Sequence, residues 1–139
     1  MTESAMHKRV RAIFGDDSGT FKYKAEPAGL YMLDLARKAA FDLGIGDIEM
    51  NVFTIRECEP GEQPDVTKST AIAGLCESCG DVPINIYVKE GLDYRQMHVV
   101  LGHEMHHAFE LSKGRVPSET EADKYGAMFA RWQVDGIRA

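Results

Sequence analysis

No stretch of this chain approaches the roughly 20 consecutive apolar residues that a membrane-spanning helix requires. The first residues also lack the apolar core of a secretory signal. Cysteine is scarce: three residues in 139, an odd number, fit a reducing compartment and not a disulfide-stapled scaffold. Together these absences predict a cytoplasmic protein with no membrane partner. Positive charge is in the minority, with 16 lysines and arginines against 22 acids and a net charge of −6. That balance argues against nucleic-acid binding as the main activity. The most basic run, His7-Lys8-Arg9-Val10-Arg11, is short, is followed by Asp16 and Asp17, and reads as a solvated segment. What is present is a hydrophobic fraction of 44%, enough to bury one core without covalent help.

Residues 1–26 are polar and read as an N-terminal arm, with a short helix over His7–Phe14 and a turn at Gly15–Gly19. Residues 27–139 read as a single domain, undivided by any repeat, linker or low-complexity segment. Pro27 suits an early helix position. Leu30, Leu33, Leu35, Ala36, Ala39, Ala40 and Leu43 then recur with helical spacing until Gly44 and Gly46. Ile48–Ile55 alternates apolar and polar side chains and predicts a strand, and Glu57–Lys68, with Pro60-Gly61 and Pro64, predicts a loop. Two more strands are expected over Ser69–Leu75 and Val82–Val88, joined by a hairpin connection at Cys76–Asp81. Asp93 is placed to cap a helix over Tyr94–Leu111, and Pro117-Ser118 opens a last helix to about Val134.

The helix Tyr94–Leu111 carries His103-Glu104-Met105-His106-His107. Two histidines four apart on a helix project from one face, so their ring nitrogens can converge on one cation. A glutamate directly after the first of them stands beside that cation, where it can take a proton from a water. H-E-x-x-H on a helix is the zinc-peptidase signature for these reasons. Met97, Val100, Leu101, Met105, Ala108 and Leu111 supply the apolar stripe that such a helix needs. His106 turns about 100° off the metal face and reads as a bystander.

A catalytic zinc takes a third protein ligand, and no histidine follows His107. The next helix begins Ser118-Glu119-Thr120-Glu121-Ala122-Asp123. Glu119 and Asp123 share one face of it, and we assign Glu119 as the third ligand of one Zn2+. Asp123, one turn on, is placed to accept the other ring N–H of a ligand histidine. Glu121 lies about 160° from Asp123 around an ideal helix and is the alternative ligand if the helix is shifted. Glu110 sits about 10 Å along the axis from His103, too far to share its ion. Tyr125, Tyr94 and His106 are the candidates in sequence for an oxyanion donor.

His103-Glu104-x-x-His107 followed by Glu119-x-x-Ala122-Asp123 resembles the gluzincin metallopeptidases, the class that includes thermolysin-like enzymes. Small size, a strand before the motif helix and the Glu-Ala-Asp helix ending Ala127-Met128-Phe129-Ala130 are most similar to the soluble ImmA/IrrE-type metallopeptidases. The resemblance covers roughly residues 69–132, and it departs from that family at Asp123, where asparagine is usual, and at His106, where a small residue is common. It implies an α+β, minimal zincin-like fold. An N-terminal helix and a small, mostly antiparallel three-stranded sheet would pack on the H-E-x-x-H helix and a C-terminal ligand helix. It implies a zinc metallopeptidase with Glu104 as catalytic base and an intracellular peptide or protein substrate such as a transcriptional regulator. It also implies a substrate-pairing edge strand, for which Ile84–Val88 is the candidate, backed by the helix Ala28–Leu43. A module of the same fold that binds metal and a partner protein without catalysis is the competing expectation.

Cys76-x-x-Cys79 has the spacing of half a zinc knuckle. A closed structural site wants four ligands, and Cys58 with His98 or His7 would have to complete it. Unligated thiols are the simpler expectation.

Overall fold

The computed structural model describes residues 21–78 and 83–138. In chain order they form β1 (Phe21–Pro27), α1 (Leu30–Asp42), β2 (Met50–Glu57), β3 (Val66–Lys68), β4 (Gly74–Glu77), β5 (Ile84–Lys89), α2 (Tyr94–Ser112) and α3 (Glu119–Asp135). The expected helix over His7–Phe14, the turn at Gly15–Gly19, Cys79 and the rest of the hairpin connection to Asp81 lie outside the described residues.

The class is α+β, but the sheet is not the expected three-stranded, mostly antiparallel one. Its five strands run in the order β3-β1-β2-β5-β4, and β2 pairs with β5 in parallel, Met50 opposite Ile84 and Ile55 opposite Lys89. The segment read as an arm contributes a strand from Phe21 onward. Phe21, Tyr23 and Ala25 point to one face there, and Lys22, Lys24 and Glu26 to the other. Pro27 ends that strand opposite Phe53 and does not open the helix. Its missing N–H costs nothing, because β3 reaches along β1 only from Phe21 to Tyr23. Helix α1 starts three residues later behind Gly29, without a side-chain cap.

A second correction concerns the edge of the sheet. Ile84–Val88 lies inside β5, between β2 and β4, so the edge strand on that side is β4. Parallel pairing of β2 and β5 forces a crossover. The chain leaves β2, forms β3 beside β1 at one edge, and reaches β4 at the other through residues 69–73. Ile72 packs there against Tyr23, Ile55, Val66 and Tyr87, and its N–H donates to the Tyr23 hydroxyl at 3.1 Å. That cluster covers one face of a curled sheet.

The opposite face carries Val52, Ile84, Ile86 and Val88, which join Leu35, Ala36, Ala39 and Ala40 of α1 and Leu101, Met105 and Ala108 of α2 in the main core. α2 is capped as expected: the Asp93 carboxylate accepts from the Gln96 N–H at 2.7 Å. It is the central helix, packed against the sheet, α1 and α3. His98 is fully buried on it, with Nδ1 donating to the Tyr94 carbonyl at 2.7 Å and Nε2 accepting from the Tyr31 hydroxyl of α1 at 2.9 Å. The Tyr125 hydroxyl of α3 donates to Asp42 of α1 at 2.9 Å.

Helices α2 and α3 touch backbone to backbone. A Cβ on Gly126 would stand 2.5 Å from the Val99 carbonyl oxygen, and one on Gly102 would stand 2.9 Å from Phe129 Cβ and 3.1 Å from Gly126 Cα. Glycine at both positions is what lets α3 lie this close to α2. Gly126→Ala therefore forces the helices apart, and denaturant melts should show about 1–3 kcal/mol of lost stability. A change under about 0.5 kcal/mol, the size of an inert surface substitution, would contradict the close approach.

Candidate metal centre

Helix periodicity brings His103 and His107 to one side of α2, with ring centroids 4.6 Å apart. His103, Glu104 and His107 each present a possible ligand atom within 4.8 Å of the others. From the first turn of α3, Glu119 reaches the same point: its Oε2 lies 2.8 Å from His107 Nε2 and 3.1 Å from His103 Nε2. Asp123, one turn along, places Oδ1 2.8 Å from His103 Nδ1. Glu121 does not join them. Its N–H donates to the Ser118 hydroxyl, which caps α3, and its carboxylate lies 3.8 Å from Lys124 Nζ.

The outer nitrogen of His107 is held as well, by a residue set aside at the sequence level. Glu110 Oε1 lies 3.1 Å from His107 Nδ1 and 3.1 Å from His106 Nδ1, and its Oε2 accepts from the Ser118 N–H at 2.8 Å. Burial would raise this carboxyl's pKa. The hydrogen bonds from Ser118 and the two rings outweigh that and hold it below the ordinary glutamate value. The signal was available in the sequence as spacing, since Glu110 is three residues past His107 and four past His106 on a helix.

These contacts test whether a cation fits. Each ring faces a carboxylate oxygen at both nitrogens, and a neutral ring has one hydrogen for the two; placed on Nδ1, it bonds Asp123 from His103 and Glu110 from His107. A neutral ring then turns the lone pair of Nε2 toward the Glu119 carboxylate, also an acceptor. Three electron-pair donors thus converge on one point, and a divalent cation satisfies all three at once. Two imidazole nitrogens and a carboxylate oxygen form the His2Glu donor set of catalytic zinc sites.

Glu104 is 7% exposed, facing a cleft of about 430 Å³ between β4 and the two site helices. Burial pushes its carboxyl up to about 7, against the opposing pull of the His103 and His107 rings. The cleft wall over it is Gly74, the first residue of β4, where any Cβ would stand 2.8 Å from Glu104 Oε2. Glu119 and Asp123 are open by contrast, with side chains 75% and 73% exposed, so water reaches the point of convergence from the α3 side.

None of the three candidate oxyanion donors is offered to the cleft. The Tyr125 hydroxyl is engaged by Asp42, the Tyr94 hydroxyl by Tyr31 at 2.6 Å, and His106 Nδ1 by Glu110. Among the described residues, no cysteine joins a group that could hold a metal ion. Cys58 bonds through its N–H to the Lys22 carbonyl of β1, whereas Cys76 sits on β4 at the far edge, and both are free thiols. His98 is committed to Tyr31 and Tyr94.

No protein-family model, curated protein or solved structure matches this chain. No helix among the described residues is long and apolar enough to cross a membrane.

Two outcomes follow from this geometry. Elemental analysis after equilibration with zinc should find about one ion per chain in the parent and in Glu121→Ala, and a large loss in Glu119→Ala. Equal loss in both variants, or none in Glu119→Ala, would remove Glu119 as a ligand. For Cys76, burial first and then the nearby Glu104 and Glu77 carboxylates push the thiol up to about 12. Thiolate is the reactive form, so Cys76 should resist iodoacetamide at pH 8 in the folded protein and react on unfolding, as read by peptide mass mapping.

Proposed function

We propose that this protein is a zinc-dependent metallopeptidase of the gluzincin type. In this reading His103, His107 and Glu119 hold one Zn2+, and Glu104 is the catalytic base. The observation that carries the proposal is the meeting of two Nε2 atoms and Glu119 Oε2 beside a buried carboxylate on one cleft. A site that only stored or sensed metal would need the three donors but not Glu104 at its side.

When bound, zinc supplies Lewis acidity to a water and to the scissile carbonyl. Glu104 takes the proton from that water at its carboxylate, keeps it in a cleft walled by Gly74, and returns it to the departing amine. A carboxyl that burial has already made a better proton acceptor than an ordinary glutamate suits both halves of that task. Asp123 holds the His103 ring so that Nε2 keeps its lone pair inward.

The substrate in this reading is an extended segment of a peptide or protein. Among the described residues β4 ends the sheet with no strand paired on its outer side, and it runs along the cleft over Glu104 and His107. A peptide that adds to this edge brings its own carbonyls past the site at strand spacing. The resemblance suggests an intracellular regulatory protein as the physiological target.

Glu104→Gln should lower cleavage of a responsive peptide by about 10²–10⁴-fold while zinc remains bound. Unchanged cleavage in that variant would remove Glu104 as the base. Full zinc occupancy with no cleavage across a broad peptide library would favour the non-catalytic metal-binding module.

A further inference from the structure

Glu110 is a charged side chain only 5% exposed, on the last full turn of α2. A buried carboxylate is costly unless it is hydrogen-bonded, and this one is engaged at both oxygens. Oε1 faces the Nδ1 atoms of His106 and His107, each at 3.1 Å, while Oε2 accepts from the Ser118 N–H at 2.8 Å. Its main-chain carbonyl accepts as well, from the Lys113 N–H at 3.1 Å and the Arg115 N–H at 2.9 Å. One residue thus holds the connection 113–118 by main chain at its start and by side chain at its end. The next residue is Glu119.

The carboxylate stands on the Nδ1 side of His107, whereas Glu119 stands on the Nε2 side. Glu110 therefore cannot be a fourth ligand to an ion at Nε2, and any effect it has must pass through His107 and Ser118. We infer that Glu110 is a positioning residue that couples two ligands of the proposed metal centre, orienting the His107 ring and fixing where α3 delivers Glu119. The inference rests on the metal-centre reading above. His106 gains a role from it: its ring takes the same carboxylate oxygen and lies against Phe109 and Tyr125, which keeps Glu110 from swinging toward solvent.

The test is zinc affinity of the full chain, measured by competition with a chromophoric chelator in parent and Glu110→Gln. Gln keeps the size, removes the charge, and turns an amide N–H2 toward either the rings or the Ser118 N–H. Zinc binding should weaken by about 10–100-fold, the cost of losing a hydrogen-bond partner of a ligand histidine. Circular dichroism checks that the variant is folded. A dissociation constant within about threefold of the parent overturns this role for Glu110 and leaves the metal centre standing, whereas a parent that binds no zinc overturns both.

If Glu110→Gln does not fold, the parent alone still decides the matter. In the cobalt-substituted protein the ring N–H protons of the two ligand histidines shift out of the protein envelope in proton NMR. The His107 signal, held by the buried Glu110, should exchange slowly, and more slowly than the His103 signal beside the open Asp123. A His107 signal that exchanges as fast as the His103 one overturns the inference.

Discussion

Two imidazole nitrogens and a carboxylate oxygen crowd one point in this protein: Nε2 of His103, Nε2 of His107 and Oε2 of Glu119, the nitrogens 3.1 and 2.8 Å from the oxygen. With each ring hydrogen on Nδ1, toward Asp123 or Glu110, such a cluster sets three lone pairs against one another and is unfavourable when left to itself. A helix that merely displayed surface histidines would let them turn to water. Here the rings are packed, with His107 9% exposed and its outer nitrogen tied to a buried carboxylate. The packing thus maintains a concentration of electron pairs that only a cation or added protons relieve. Everything else in the fold can be read by how it maintains that convergence.

Two constraints do most of this. The first is the contact of α2 with α3 at Gly102 and Gly126, where the second helix rests on the main chain of the first. With a side chain in between, the first turn of α3 would stand off by the width of a methyl group or more. Glu119 would then no longer reach both rings. The second is the α2–α3 connection, closed by hydrogen bonds from Arg115 and Ser118 to Glu110 and started afresh by the Ser118 cap. Tyr125, the residue before Gly126, bonds Asp42 and anchors α3 to α1, so α3 is tied to both its partners. Close approach sets the distance, and the clamp sets the rotation.

Local rules made the helical half of the molecule legible. Asp93, Ser118 and the spacing of Leu101, Met105 and Ala108 define α2 and the start of α3 within a residue or two, and the acids on α3 follow from helix geometry. The sheet was less legible because its organisation is non-local. Val66–Lys68 is too short to show a period, and in Phe21–Pro27 the charged alternate positions gave the segment the composition of a solvated arm. The parallel pairing of β2 with β5 depends on a crossover through 69–73 that no turn signal marks. Hairpin neighbours would leave β5 at the edge, whereas the parallel pairing with β2 places it inside the sheet. Glu110 was set aside for a related reason. Distance along the axis separates it from His103, but the helix spacing that pairs it with His106 and His107 concerns the opposite side of the rings.

The corrected edge changes how the cleft is read. An exposed strand edge is a hazard, and short length is one way to limit it. β4 is only four residues, Gly74–Glu77, and a Cβ on its first residue would stand 2.7 Å from Val100 Cγ1 and 2.8 Å from Glu104 Oε2, so any larger residue must push those side chains aside. A longer, better-formed edge would recruit strands indiscriminately; this one offers pairing only where Glu104 and the converging donors lie. On the proposed reading, the same glycine that seals the base from one side brings an added strand's backbone near the site on the other. Any side chain at position 74 would then act twice, displacing the Glu104 carboxylate and lifting the strand that presents the substrate.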